Sequence, residues 1–226
     1  MVKVHWIKTG HRGARAEFTD SDIVSTLLFL DKEPMGRYNL QKKLAISDSS
    51  TKSLLNYCKK KELLEIASKK GHKLTSNGKK IVNLIRQVIL KHNRSSYVFF
   101  PKMKHYLVFI AKHYSGDYVL SDKQKKSSWK FRDIAIAYGA DSILLLQYEK
   151  KKLQFPEEDM NINDFYPDFP VFFKQKLAME DQNNYYLLIV ASNKFEIARK
   201  SAIITALHFY EKVLQEIHKE ISNVQL

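Results

Sequence analysis

Between residues 50 and 60, hydroxyl, amide and ammonium side chains recur at a spacing that places them along one side of a helix. Thr51, Leu54, Leu55 and Cys58 form the apolar side, and the opposite side carries Ser50, Lys52, Ser53, Asn56, Tyr57, Lys59 and Lys60. Such groups suit two contacts with nucleic acid. Ser, Asn and Lys bond base edges in a major groove, and Lys neutralises phosphates, releasing the counterions condensed on a duplex. The lysines at the end of the helix also complement its dipole. A second basic cluster follows, with Lys69, Lys70, His72 and Lys73 around the turn SKKG, where Gly71 can supply a positive φ between two short strands. Near the start, HRGAR brings Arg12 and Arg15 together in a form that suits an arm entering a minor groove, although flexible basic termini are common. Arg37, beside Gly36, completes the candidate set.

These side chains need a frame, and the hydrophobic pattern supplies one. TDSDIVSTLLFL opens on Thr19 and places Ile23, Val24, Leu27, Leu28 and Leu30 at helical spacing, which predicts a capped helix with one buried face. DKEPMG stops it. RYNLQKKLAIS reads as a short second helix with Asn39 as N-cap, and TKSLLNYCKKKELL as a third that starts from Ser49 or Ser50. LLEIA and HKLT then read as paired strands. Thr75 caps a fourth helix, SNGKKIVNLIRQVILKH, with Ile81, Leu84, Ile85, Val88 and Ile89 inward. Helix, helix, helix, hairpin and helix is the order of a winged helix-turn-helix, in which the third helix enters the groove and the hairpin, the wing, meets the backbone.

The charge distribution supports that frame. Of a net +14 over 226 residues, residues 1–94 hold 20 Lys and Arg against 8 Asp and Glu, an excess of +12, while residues 95–226 hold 18 against 16. A one-sided excess points to an anionic partner. The expected domains are therefore residues 1–94, with a basic N-terminal arm, and residues 95–226, joined by a linker around HNRSS at 92–96. No apolar run reaches the roughly 18 residues of a membrane span, and the start has no signal-peptide core. The chain reads as soluble and cytoplasmic. A lone cysteine, Cys58, permits no internal disulfide.

The second half changes to longer β-rich runs. YVFF, HYLVFIAKHY, DSILLLQY, KLQF and NNYYLLIVA read as strands, SWKFRDIAIAYGA as a helix closed by Gly139, and KFEIARKSAIITALHFYEKVLQEIHKEI as one long helix. The expected fold class is thus α+β: a winged helix followed by an α+β sandwich with helices on one face of the sheet. FPEEDMNINDFYPDFP is read as a long loop or lid whose aromatics, Phe165, Tyr166, Phe169, Phe172 and Phe173, line a pocket or plug the sheet, with plugging favoured.

Enzyme signatures are sparse. The glycines, at 10, 13, 36, 71, 78, 116 and 139, spell neither a P-loop nor GxGxxG. The loop from Asp159 fails as a calcium site, with Asp164 where glycine and Pro170 where glutamate are required. His105 and His113 lack metal-ligand spacing, and Cys58 falls on an apolar helix side, as a core residue does. No catalytic residue, metal or cofactor is expected. Arg132 and Asp133 are the candidate ligand contacts in the second half, with a surface salt link as the plainer account.

MGRYNLQKKLAISDSSTKSLLNYCKKKELLEI followed by KKGHKLTSNGKK resembles archaeal winged-helix transcriptional regulators. FRDIAIAYGADSILLL, KLQFP and YYLLIVASNKFEIARKSAI look like the uncharacterised C-terminal domain that accompanies such a winged helix in some archaeal proteins. The resemblance implies a regulator with a domain of unknown function. Taken with the basic first half, the chain reads as a transcriptional regulator that binds double-stranded DNA, with a second domain that dimerises it, senses an unknown small-molecule effector, or does both. An enzyme tethered to DNA and a protein-interaction scaffold are the alternatives. Ile203, Leu207, Tyr210, Leu214, Ile217 and Ile221 recur at spacings of four and three, a seam that fits a homodimer interface or the protein's own sheet. Ile81–Leu90 is the second candidate for a dimer contact.

Overall fold

The computed structural model describes residues 18–67, 71–112, 128–156, 160–177 and 184–222. The chain forms two compact units, and the first is discontinuous: residues 1–86 with 211–226 make one, residues 87–210 the other. The expected boundary at 94 therefore moves to 86, and a second crossing appears at 210.

In the first unit, α1 (Asp20–Lys32) begins at Thr19, whose backbone N–H donates to the Asp22 carboxylate at 2.8 Å. This is the local bond that the Thr-x-x-Asp opening predicts. α2 (Arg37–Leu44) starts from Gly36, not Asn39, and ends at Ala45 in the left-handed region. α3 (Asp48–Lys60) is capped by Ser47, whose hydroxyl accepts the Ser50 N–H at 3.0 Å, so it starts earlier than expected. β1 (Leu64–Ile66) and β2 (His72–Leu74) form the antiparallel hairpin, with Leu64 opposite Leu74. Met35, between α1 and α2, bridges to His72 through bonds of 2.8 and 3.0 Å in both directions. Gly71 has the positive φ expected of it, 97°, and a Cβ there would lie 2.4 Å from the Met35 carbonyl oxygen. Only glycine fits both constraints.

α4 (Ser76–Val88) ends four residues short of the expected limit. Ile89–Arg94 is β3, the edge strand of the second unit, paired with β4 (Lys104–Ala111). The expected linker thus lies partly within a sheet. β5 (Ser142–Glu149), β6 (Lys152–Gln154) and β7 (Asn184–Ser192) complete an antiparallel sheet of order β3-β4-β7-β5-β6. YVFF is not a strand. Ser95 accepts the Tyr97 N–H at 3.0 Å and turns the chain, so that Phe99 enters an aromatic cluster.

Alternation along β4 and β7 feeds two faces. One lies under α5 (Ser128–Ala137) and α7 (Phe195–Leu207), where Ala198, Ala202 and Ala206 are fully buried and Ser201 donates to the Ala135 carbonyl at 2.8 Å. Gly139 closes α5 at φ 88°, as expected, with the Ala140 N–H returning to the Ala135 carbonyl at 3.0 Å. The other face, expected to lack helices, is covered by α6 (Phe169–Lys176) and the short 3-10 turn Ile162–Asp164. Phe169, Phe173 and Ile162 pack there against Leu107, Phe109, Tyr185 and Leu187. The aromatics of that segment plug the sheet, with Phe165 left 55% exposed.

The long C-terminal helix is two helices, α7 and α8 (Glu211–Ser222). The break at His208–Tyr210 contains no glycine or proline. Phe209 stacks on Phe131 of α5 at 3.9 Å and 10°, and the Tyr210 hydroxyl donates to the Ala111 carbonyl. His208 Nε2 is buried without a hydrogen-bond partner. Burial, with Lys130 nearby, pushes the His208 pKa down from 6.5 to about 4. The unfolded chain therefore takes up a proton that the folded one refuses, so stability is greatest above 6.5 and falls as pH drops from there toward about 4. His208→Gln is expected to shrink the difference in melting temperature between neutral and mildly acidic buffer. An undiminished difference would assign that sensitivity to other groups.

The proposed helical seam is used within the chain. Ile203 and Leu207 are buried in the second unit, and Leu214, Ile217 and Ile221 lie buried on α8, which belongs to the first. Ile81, Ile85, Val88 and Ile89 are buried as well. Neither stripe is available as a free dimer surface. No helix among the described residues is long and apolar enough to cross a membrane.

Candidate nucleic-acid interface

α3 carries the densest set of exposed polar groups that its sequence promised. Thr51, Leu54, Leu55 and Cys58 are buried, and the Thr51 hydroxyl donates to the Ser47 carbonyl at 2.8 Å. Burial pushes the Cys58 thiol up to about 12, which makes it an inert core side chain. Opposite, Ser49, Lys52, Ser53, Asn56 and Lys60 are exposed, within about a quarter turn of one another at 3.6 residues per turn. Tyr57 and Lys59 flank this stripe half-buried, Tyr57 with its ring 5.6 Å from that of Phe18.

Ser50 is a correction. Its side chain is buried and its hydroxyl lies 2.7 Å from that of Ser47, within the cap of α3. Ser49 takes its place on the outer face. Counting back four residues from Ser53 would have found it, had the helix start been placed at Ser47 rather than inside the serine run.

Arg37 stands at the first turn of α2, with Nε 3.2 Å from the Asp48 carboxylate and its guanidinium 5.2 Å from the Tyr38 ring. It ties the starts of α2 and α3 together. Exposed pairs of this kind add only about 0–1 kcal/mol, so its role is orientation. On the hairpin, Lys73 is exposed but paired with Glu65 at 2.9 Å across the strands. His72 is a second correction. It is half-buried, with Nδ1 enclosed and unpartnered, and burial, with Lys59 nearby, pushes its pKa below 6.5. It stays neutral at pH 7 and brings the hairpin no charge. Lys69, Lys70, Arg12 and Arg15 lie outside the described residues.

In the second unit, Arg132 and Asp133 are exposed on α5. An open groove of about 740 Å³ lies elsewhere, between β6 and the 3-10 turn, lined by Lys151, Lys152, Phe155, Met160 and Asn161 among others. A separate ionisable cluster lies where β4 and β5 end. Lys112 and the Gln147 amide both donate to Glu149, which holds that carboxyl below its usual range. The Tyr186 hydroxyl is buried and pushed up to about 12 by that burial and by Glu149. None of these four residues lines the groove. His105 is buried as well, its Nε2 accepting the Phe100 N–H at 3.0 Å, and burial lowers its pKa. It acts as a neutral acceptor; His113 lies outside the described residues. Among the described residues, no group of three or more His, Cys, Asp or Glu side chains is placed to hold a metal ion.

These features define a two-unit α+β protein: a helical unit with a small hairpin, in winged-helix order, and a five-stranded antiparallel sheet with helices. Residues 19–80 match the family described as PH0730-like, N-terminal domain, and residues 118–209 match a domain of unknown function, DUF4443. The hypothetical protein PH0730 from Pyrococcus horikoshii OT3 has a similar solved structure, with a TM-score of 0.69 at 23% identity over 92% of this chain and 100% of that one. That likeness is one of fold. No curated protein matches the chain.

Proposed function

We propose that the protein is a DNA-binding transcriptional regulator that lays α3 in the major groove and its hairpin against the backbone. The observation that carries this reading is the exposed stripe of Ser49, Lys52, Ser53, Asn56 and Lys60 over a fully packed inner face. Its hydroxyls and amide match the donors and acceptors of base edges, and its lysines add to the +12 excess of residues 1–94. The sheet unit then serves as the effector or assembly domain, acting on the first unit through the two chain crossings at 86 and 210.

Titration with a random duplex pool at several salt concentrations tests this. Log affinity should fall against log salt with a slope of about −0.9 for each phosphate neutralised. Lys52→Ala and Lys60→Ala should each lower that slope by about 1. Asn56→Ala should instead cost roughly 1–3 kcal/mol on the preferred site and relax the preference at one base pair. Binding that ignores salt, or an Asn56 variant with unchanged preference, would reject α3 as the reading element and favour a protein-interaction role.

A further inference from the structure

α5 buries one face and leaves a composed one outside. Phe131, Ile134 and Ala135 are at most 4% exposed, whereas Trp129 is 62% and Ile136 46% exposed. Arg132 and Asp133 lie between them and are exposed too. At 3.6 residues per turn, these four side chains occupy a stripe about 100° wide. Adjacent residues on a helix do not face one another, so Arg132 and Asp133 do not pair with each other. The ion pairs found among the described residues include neither.

The order along the stripe is symmetric about its centre. Trp129 and Ile136 are equally far from the midpoint between Arg132 and Asp133, one on each side. The geometry points to a second copy of this chain as the occupant. It docks antiparallel along α5, about a twofold axis through that midpoint, with Trp129 against Ile136 of the second copy and Arg132 against Asp133 of the second copy. Each contact then occurs twice, as a self-complementary interface requires. The stripe has no net charge, which disfavours a nucleic acid on this face, and a large exposed indole is the kind of anchor that centres protein interfaces. A single helix-on-helix contact is smaller than the roughly 1,200 Å² at which stable dimers begin. Association is therefore weak in free solution and strengthens when two copies are held on one duplex. That last step rests on the DNA reading; the contact itself does not.

The test is made without DNA, so that its failure and the failure of the DNA reading remain distinct. Trp129→Cys and Ile136→Cys are prepared as separate full-length proteins, with the buried Cys58 left in place, and oxidised alone and as an equal mixture at about 100 μM, a concentration chosen to populate weak interfaces. The expected result is a cross-linked dimer in the mixture, with each protein alone giving several-fold less, because positions 129 of the two copies stand on opposite sides of the axis. In sedimentation equilibrium, Arg132→Asp sets like charges against each other at both ends of the axis and should weaken the dimer at least about tenfold. The exchange Arg132→Asp with Asp133→Arg should restore it. All four positions are exposed, so the melting temperature serves as a check that each variant is folded. A mixture that cross-links no better than its components, or a dimer indifferent to Arg132→Asp, overturns the proposal.

Discussion

Ile217→Asp is expected to unfold the first unit and to leave the sheet unit folded. Ile217 is fully buried on α8, beside Val213 and Leu214, and this helix belongs with residues 1–86 although it lies at the far end of the chain. Truncating a buried isoleucine costs about 2–5 kcal/mol, and an unpaired carboxylate in the same place adds several more. A domain holds only about 5–15 kcal/mol in total. Hydrogen exchange resolves the outcome: amides of α1 and α4 should lose protection while those of β4 and β7 keep theirs. Truncation after Tyr210 should act in the same way, and DNA binding should disappear with it. If the sheet amides open first, α8 supports the other unit. If all open together, the two units fold as one.

The complementary change, Phe169→Ala, should act on the sheet unit alone. Phe169 is fully buried, with ring centroids 4.6 Å from Phe99, 4.9 Å from Tyr97 and 5.9 Å from Phe173. Removing such a ring costs about 3–5 kcal/mol, and each well-placed aromatic pair accounts for about 0.5–1.5 kcal/mol beyond its area. Phe165→Ala, four residues away on the exposed side of the same segment, should stay within about 0.5 kcal/mol, as surface changes usually do. Urea unfolding followed by tyrosine fluorescence separates the two. Equal losses from both would mean that the segment is held by its chain direction and not by its buried rings. A Phe169 variant that also lowers the stability of α1 and α4 would show the units to be coupled.

This division of the chain changes how a signal would pass between the units. The second unit is inserted between α4 and α8 of the first, so two covalent crossings join the units, and on the proposed reading a state change in the sheet would pass along them. An effector that binds both states equally would shift nothing. The groove beside β6, which neither Arg132 nor Asp133 lines, gives a ligand search a place to begin.

What the sequence determined by itself is what short-range physics controls. The Thr19–Asp22 cap, the helical spacing of Leu27, Leu54 and Ile81, the glycine at 71 and the outward lysines of α3 depend on neighbours within a few residues, and all are present in the fold. Tertiary structure decided the rest. Ile89–Arg94 continues the apolar spacing of α4, yet the unpaired edge of β4 takes it as a strand, because ladder bonds to a distant segment outweigh local propensity. The break at His208–Tyr210 has no local signal, since it is held by Phe131 and Ala111 from other parts of the chain. Ser50 and His72 had the right chemistry and spacing for the interface, but a cap turned Ser50 inward, and His72, bridged through its backbone to Met35, keeps Nδ1 enclosed. Composition assigns a residue its chemistry; only packing against remote segments decides which of those groups meet solvent.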